Sequence, residues 1–329
     1  MEYVKCDICG SDDYHVVAEK GRFGLNVRNV ICRQCGLVYV NPRMDEGESA
    51  DFYSKKYRKL HFDTESPTEA YAQIDDLRAK DRMRFLEDHV SLPPQGYVLD
   101  IGSSTGAYLS HLSDRGWAAF GIEPDINFSE FARIRYGLNV FTGMLEEADL
   151  REDFFDLIIA LHVLEHFRSP KKSLGLINRK LKQGGLLFVE IPNLDKPLRG
   201  KLKAFFSNVH FYSFSKNTIT ELLQMTGFQI LWIQETGFMT KDSDFNLRII
   251  ARKDSNGNGK VGEIKGEDYR EILNRLKKRR RRYFLLSLCG DTWDFTKKLL
   301  RMSIQKVLGN RTHNKLLHYL RRIKYRQRA

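Results

Sequence analysis

Val98-Leu99-Asp100-Ile101-Gly102-Ser103-Ser104-Thr105-Gly106 is the stretch whose reading decides the fold. A short apolar run ends in an acid and a glycine-bearing turn, and helical spacing follows. Such a strand–turn–helix unit lets the backbone approach a ligand closely at the carboxyl edge of a sheet. Taken alone, the pattern suits a dinucleotide as well as other nucleotide-like cofactors. About twenty residues further on, a second apolar run ends in Gly121-Ile122-Glu123-Pro124. An acidic side chain there accepts hydrogen bonds from ribose hydroxyls.

The same alternation extends in both directions. Apolar runs at Tyr97–Ile101, Trp117–Ile122, Leu138–Thr142, Phe155–Leu161, Leu186–Ile191, Phe228–Gln234 and Phe245–Arg252 read as strands, most of them separated by helical stretches. That is the pattern of βαβ units: an α/β, Rossmann-like domain over residues 96–253 with a seven-stranded, mostly parallel sheet. No helical pattern separates the last two runs, which predicts an antiparallel hairpin at one edge. Upstream, residues 43–95 read as a helical connector. Within it Ala70, Ile74, Leu77, Met83, Phe85 and Leu86 fall near helical spacing over Glu69–His89, and Pro93-Pro94 stops the helix.

Two further motifs narrow the cofactor. Phe155-Asp156-Leu157-Ile158-Ile159-Ala160-Leu161-His162-Val163-Leu164-Glu165-His166 carries a strand into a polar cluster, and Leu181-Lys182-Gln183-Gly184-Gly185-Leu186-Leu187 opens the next strand. With LDIGSSTG and IEP, in that order, they resemble class I S-adenosylmethionine-dependent methyltransferases. The resemblance implies that Asp100, Gly102, Ser103, Ser104, Thr105 and Gly106 line the methionine and ribose side of S-adenosylmethionine. It implies that Glu123 holds the ribose hydroxyls, that Met144 and Leu145 cover the adenine, and that Leu161 and His162 floor the pocket near the sulfonium. Ser104 stands where LDIGCGTG-type loops have glycine, and fits the same turn if its backbone angles are ordinary.

Residues 1–42 carry four of the chain's five cysteines, as Cys6-x-x-Cys9-Gly10 and Cys32-x-x-Cys35-Gly36. Each CxxC turn presents two thiolates to one point, and the following glycine permits the sharp turn. Four sulfurs complete a tetrahedral Zn²⁺ shell with no open position, so a structural zinc ribbon is expected. So small a segment needs metal binding to supply its folding free energy. The run Cys35-Gly36-Leu37-Val38-Tyr39-Val40-Asn41-Pro42 is similar to the ribbon-to-catalytic-domain junction of bacterial methyltransferases associated with glycan and other surface-polymer biosynthesis. Cys289 stands alone and reads as a buried or half-buried thiol.

Methyl transfer to a hydroxyl needs alignment of the acceptor and removal of its proton. His162, Glu165, His166 and His210 are the candidate catalytic residues. His162-x-x-Glu165-His166 with a distant His210 is similar to the ExxEH-plus-His arrangement that binds a divalent metal in some class I O-methyltransferases, with His162 in place of the first Glu. Three readings stay open: a second divalent metal, a metal-free histidine base, or a helix cap that fixes the pocket wall.

Charge is uneven. Of the 329 residues and net +12, the segment from Asp268 onward has 19 Lys/Arg against 4 Asp/Glu, so the body is near neutral. Residues 254–267 read as a linker and 268–329 as a basic helical tail. Its apolar faces are Tyr269/Ile272/Leu273/Leu276, Leu299/Leu300/Ser303/Ile304/Val307/Leu308 and Leu316/Leu317/Leu320/Ile323. The run Lys277–Arg282 and the helices beyond it suit an anionic membrane surface, a solvated helix or, less well, nucleic acid. Asp254-x-Asn256-x-Asn258-Gly259 begins like a calcium loop, but its twelfth position is Lys265, which argues against calcium. The N-terminus lacks a signal-peptide core, and no run approaches the roughly 20 apolar residues of a membrane span. A cytoplasmic enzyme, peripheral at the membrane through its tail, is the expectation. The expected reaction is O-methylation of a sugar or lipid-linked glycan. An RNA methyltransferase and a non-catalytic module that keeps the fold are the alternatives.

Overall fold

The computed structural model describes residues 1–49, 66–197, 205–236, 245–254, 265–279 and 281. Met1–Leu276 form one compact unit, and Lys277–Ala329 a second. The calcium-like loop after Asp254, Cys289, and the two later apolar faces of the tail lie outside the described residues. No described helix is long and apolar enough to cross a membrane.

The first unit is built on two sheets. The larger has seven strands: β4 Tyr97–Ile101, β5 Ala118–Glu123, β6 Asn139–Thr142, β7 Phe155–Leu161, β8 Leu181–Pro192, β10 Phe228–Thr236 and β11 Asn246–Lys253. Their order across the sheet is β10-β11-β8-β7-β4-β5-β6. The pairs among β4 to β8 are parallel, and β10 and β11 add antiparallel at one edge, as the sequence predicts. The central strands are largely apolar because helices cover both faces, and the charged residues they carry, Asp100 and Glu190 among them, belong to the site. In β7, Leu157, Ile158, Ile159 and Ala160 are all fully buried. β8 starts earlier than expected, at Leu181, and runs through Gly184-Gly185.

Local signals fix the helix starts. Asp125 accepts from the amides of Asn127 and Phe128 to cap Ile126–Tyr136, and Ser169 and Ser215 cap Pro170–Lys180 and Lys216–Met225. The helix α1, Glu69–His89, has the expected bounds but not the expected face. Ala72, Ala79, Met83, Phe85 and Leu86 are its buried residues, whereas Ile74 and Leu77 are 44% and 49% exposed. Its polar residues turn inward instead. Thr105 Oγ1 donates to Asp75 (2.6 Å), Asp76 meets His111 (2.7 Å), and Arg82 donates to Glu190 (2.7 Å).

The smaller sheet comprises β1 Tyr14–Lys20, β2 Asn26–Cys32, β3 Val38–Val40 and β9 Tyr212–Ser213, in the order β1-β2-β3-β9. Three strands come from the cysteine-bearing segment, and the fourth lies more than 170 residues downstream. Tyr39 stacks on Tyr212 and Tyr212 on Phe214, so the segment's core runs without a break into the larger sheet's. Ile272 and Leu276 of the tail's first apolar face are buried against Ile31, Val38, Leu194 and Phe206. Gly36 has φ +77°, and a Cβ there would lie 2.7 Å from both Glu267 O and Ile272 Cδ1, so the knuckle turn and its cover both require glycine.

Candidate functional site

The carboxyl ends of β4 and β5 form the first half of the site. Gly102 and Ser103 both donate to Ile122 O (2.8 and 3.0 Å), which folds the turn back onto β5. Gly102 has φ +74°, and a Cβ there would lie 2.7 Å from Val163 Cγ2. Ser104 does not have ordinary backbone angles: its φ of +51° is left-handed, the conformation that a glycine adopts freely. Its amide donates to Glu123 Oε2 (2.9 Å), and Asp125 N donates to Glu123 Oε1 (3.0 Å). Glu123 therefore ties the loop to the end of β5.

The loop fits a polar cofactor. Asp100 Oδ1 and the hydroxyls of Ser103 and Ser104 are buried with no protein hydrogen-bond partner. Burial also pushes the Asp100 carboxyl well above its usual range, with Asp75 and Glu123 adding to the effect against Arg82. Gly106 closes the turn as the N-cap of Ala107–Ser113. At the end of β6, Leu145 is buried and Met144 is 45% exposed, so only Met144 lies open to a base stacking from outside.

The second half lies at the ends of β7 and β8. His162 has φ +57°, so the chain turns sharply after Leu161 and sets the ring between two carboxylates. Its Nε2 lies 3.0 Å from Glu190 Oε1 and its Nδ1 3.5 Å from Glu165 Oε1. Burial opposes charge on this imidazole, but the carboxylates of Glu165 and Glu190 on either side outweigh it and raise its pKa to about 9. Glu165 is buried, and burial works against its charge. His162, His166 and His210 override that and hold it down to about 2.

Glu190 is the residue that sequence reasoning missed. It is buried in β8 and accepts from Arg82, Arg248 Nε (2.5 Å), Asn246 (3.4 Å) and His162. Burial raises its proton affinity, but Arg82 and His162 drive it well below the usual carboxylate range. A charged residue inside the apolar run Leu186-Leu187-Phe188-Val189-Glu190-Ile191 was the available signal.

His166 and His210 come together with their rings 4.8 Å apart, edge to face. Glu165, His166 and His210 each offer one ligand atom within 4.8 Å of the others. Both oxygens of Glu165 are buried, and Oε1 has only long approaches, from His162 Nδ1 at 3.5 Å and His166 Nε2 at 3.9 Å. That donor set fits one divalent cation, with His162 outside it because both its nitrogens face carboxylates.

The four N-terminal cysteines form the other cluster, with all sulfurs within 4.8 Å and the pairs Cys6–Cys35 and Cys9–Cys32 each at 3.4 Å. A zinc with Zn–S bonds of about 2.3 Å sets its sulfurs about 3.8 Å apart. The neighbouring thiols of Cys35 and Cys6 and the local backbone favour the thiolate form at Cys32, the form that binds metal. The cluster fits structural zinc.

With this geometry in place, known proteins can be compared with it. Residues 71–232 match the family described as Methyltransferase domain. Over those residues, just under half of the chain, the protein is similar to methyltransferase domains. The chain is similar to the C-methyltransferase NovU of Streptomyces niveus, 23% identical over 69% of this chain and 56% of that protein. It is also similar to the ubiquinone biosynthesis O-methyltransferase of Pseudomonas fluorescens, 26% identical over 46% of this chain and 64% of that one. The chain thus spans little more than half the length of the first of these relatives. Among solved structures, the 1,6-didemethyltoxoflavin-N1-methyltransferase of Burkholderia thailandensis, with bound S-adenosylhomocysteine, shares the fold. Its TM-score is 0.52 at 17% identity, covering 72% of this chain and 100% of that one.

A pH dependence follows from His162. Its folded value of about 9 lies above the ordinary 6.5, so its contribution to stability is complete below pH 6.5 and is lost as pH rises through 9. In denaturant titrations, the wild-type protein should lose more stability between pH 7 and pH 10 than His162→Gln does. Equal losses would remove the charged imidazole from the account.

Proposed function

We propose that the chain transfers a methyl group from S-adenosylmethionine to an oxygen of a sugar or lipid-linked glycan. The observation that carries the reading is the convergence of Glu165, His166 and His210 at the strand ends beside the glycine loop. Asp100, the Gly102–Gly106 turn, Glu123, Met144 and Leu161 are the residues to hold the cofactor, which supplies an activated methyl when bound.

The chain's own residues then have separate tasks. His162, charged between Glu165 and Glu190, donates to Glu190 and is a poor base at neutral pH. His166 or His210 takes the acceptor proton, and the buried Glu165 carboxylate stabilises the resulting imidazolium. If the trio holds a divalent cation instead, the cation lowers the acceptor hydroxyl's proton affinity and Glu165, His166 and His210 are its ligands. A zinc ribbon on Cys6, Cys9, Cys32 and Cys35 is part of the same reading, as is contact of the basic tail with an anionic membrane surface.

A carbon acceptor is the second reading, because the similarity to a C-methyltransferase covers more of the chain than the methyltransferase domain alone. The experiment is incubation of the protein with ¹³C-methyl S-adenosylmethionine and a host extract, with and without added Mn²⁺ or Mg²⁺. Label in O-methyl groups of the glycan or lipid fraction supports the proposal, and C-methyl label moves it to carbon. Label in RNA overturns it. Stimulation by the cation assigns the trio to metal, and insensitivity assigns it to base catalysis.

A further inference from the structure

His166 and His210 sit on separate segments, and the N-terminal cysteine-bearing segment makes contacts to both. Asp7 lies inside the Cys6-x-x-Cys9 knuckle. It accepts from Ser169 Oγ (2.6 Å) and from Lys171 N (2.8 Å), at the start of the helix that follows the His166 turn. Lys171 Nζ returns a bond to Ile8 O (3.3 Å). On the other segment, β3 pairs with β9 through Tyr39 and Tyr212, and Val40 N donates to Phe211 O (2.8 Å).

Arg43 joins the two segments. It is 8% exposed, and its Nη1 donates to Arg168 O (2.5 Å) and to Tyr212 Oη (3.1 Å). Tyr212 Oη donates to the same Arg168 carbonyl (3.1 Å), and Arg43 Nε donates to Glu2 Oε1 (2.8 Å). The guanidinium lies over the Phe211 ring, 5.4 Å from its centroid. Residues 168 and 212 each follow a histidine by two positions, so the planar fork of Arg43 fixes the spacing between the histidine-bearing backbones. The cofactor turn is held differently, by Ile122 O, Glu123 and Asp75.

We infer that the ribbon is the positioning device of the acceptor side, with Asp7 and Arg43 as its positioning residues. Metal on the four cysteines sets the Cys6–Cys9 turn, and hence Asp7, so zinc loading assembles the His166–His210 pair while the cofactor turn stands without it. The inference rests on reading those histidines as the acceptor-side pair. Its test needs no acceptor, so failure to find a methylated glycan leaves it standing or falling on its own.

The experiment uses the full zinc-loaded chain with ¹³C-labelled histidine, together with amide hydrogen exchange and S-adenosylhomocysteine binding. In Asp7→Ala and Arg43→Lys, the ring-to-ring cross-peak between His166 and His210 should vanish. Exchange over 164–168 and 210–214 should rise about tenfold. S-adenosylhomocysteine affinity should stay within about twofold of wild type, well under the tenfold that 1.4 kcal/mol represents. Asp7→Asn keeps an acceptor for Ser169 and should restore the cross-peak, and zinc removal by a chelator should reproduce the Asp7→Ala spectrum. An unchanged cross-peak overturns the inference. So does a uniform rise in exchange, or a parallel loss of S-adenosylhomocysteine binding.

Discussion

Glu190→Ala is expected to cost the native state about 3–5 kcal/mol, the range for breaking a buried ion pair by removing one partner. Glu190 is 2% exposed and sits among Arg82, Arg248 and His162. Its removal leaves two largely buried guanidinium groups facing each other with one carboxylate fewer. Arg248 keeps Asp81 (2.6 Å), whereas Arg82 loses its close partner in β8. Glu190→Gln preserves volume and acceptor oxygen and should cost less. Urea unfolding midpoints measure both. A loss within about 0.5 kcal/mol, typical of surface sites, would mean that the network's desolvation cost cancels its attraction. The His162 imidazole should also titrate at lower pH in Glu190→Gln, since one of its two facing carboxylates is gone.

His210→Ala should lower kcat/KM by about 10²–10⁴, the usual contribution of a positioned general base. His166→Ala should do the same, and the double variant should fall little further than either single one, because residues that act as a unit are non-additive. S-adenosylhomocysteine binding should be unaffected, since both rings lie beyond the glycine turn. The measurement is steady-state methyl transfer across pH, in which the limb reporting the base should vanish. A loss below about tenfold in both variants, about 1.4 kcal/mol, would move the proton transfer to another group.

Several elements are legible in the amino-acid sequence alone. β4 and β7 have the predicted bounds, because a buried parallel strand needs an unbroken apolar run and turn residues at its ends. The four cysteines converge as expected, since CxxC spacing is local geometry. The proximity of His162, Glu165 and His166 is likewise local. The start of β8 is not legible in this way, because Gly184-Gly185 has the composition of a turn and yet lies inside the strand.

The sequence by itself determined what short-range chemistry controls: the order of strands and helices, the glycine turn after β4, the two cysteine knuckles and the polar cluster after β7. Only the tertiary structure decided which polar groups meet across long separations. Arg82 and Glu190 are 108 residues apart, Arg248 and Asp81 167, and Arg43 and Tyr212 169. Apolar periodicity says which face of an element leaves water, and on α1 it misassigned even that, since Ile74 and Leu77 stay exposed while Asp75 and Arg82 turn in. A buried charge is tolerated only where a partner waits on another element, and no local pattern in the chain specifies where that partner is.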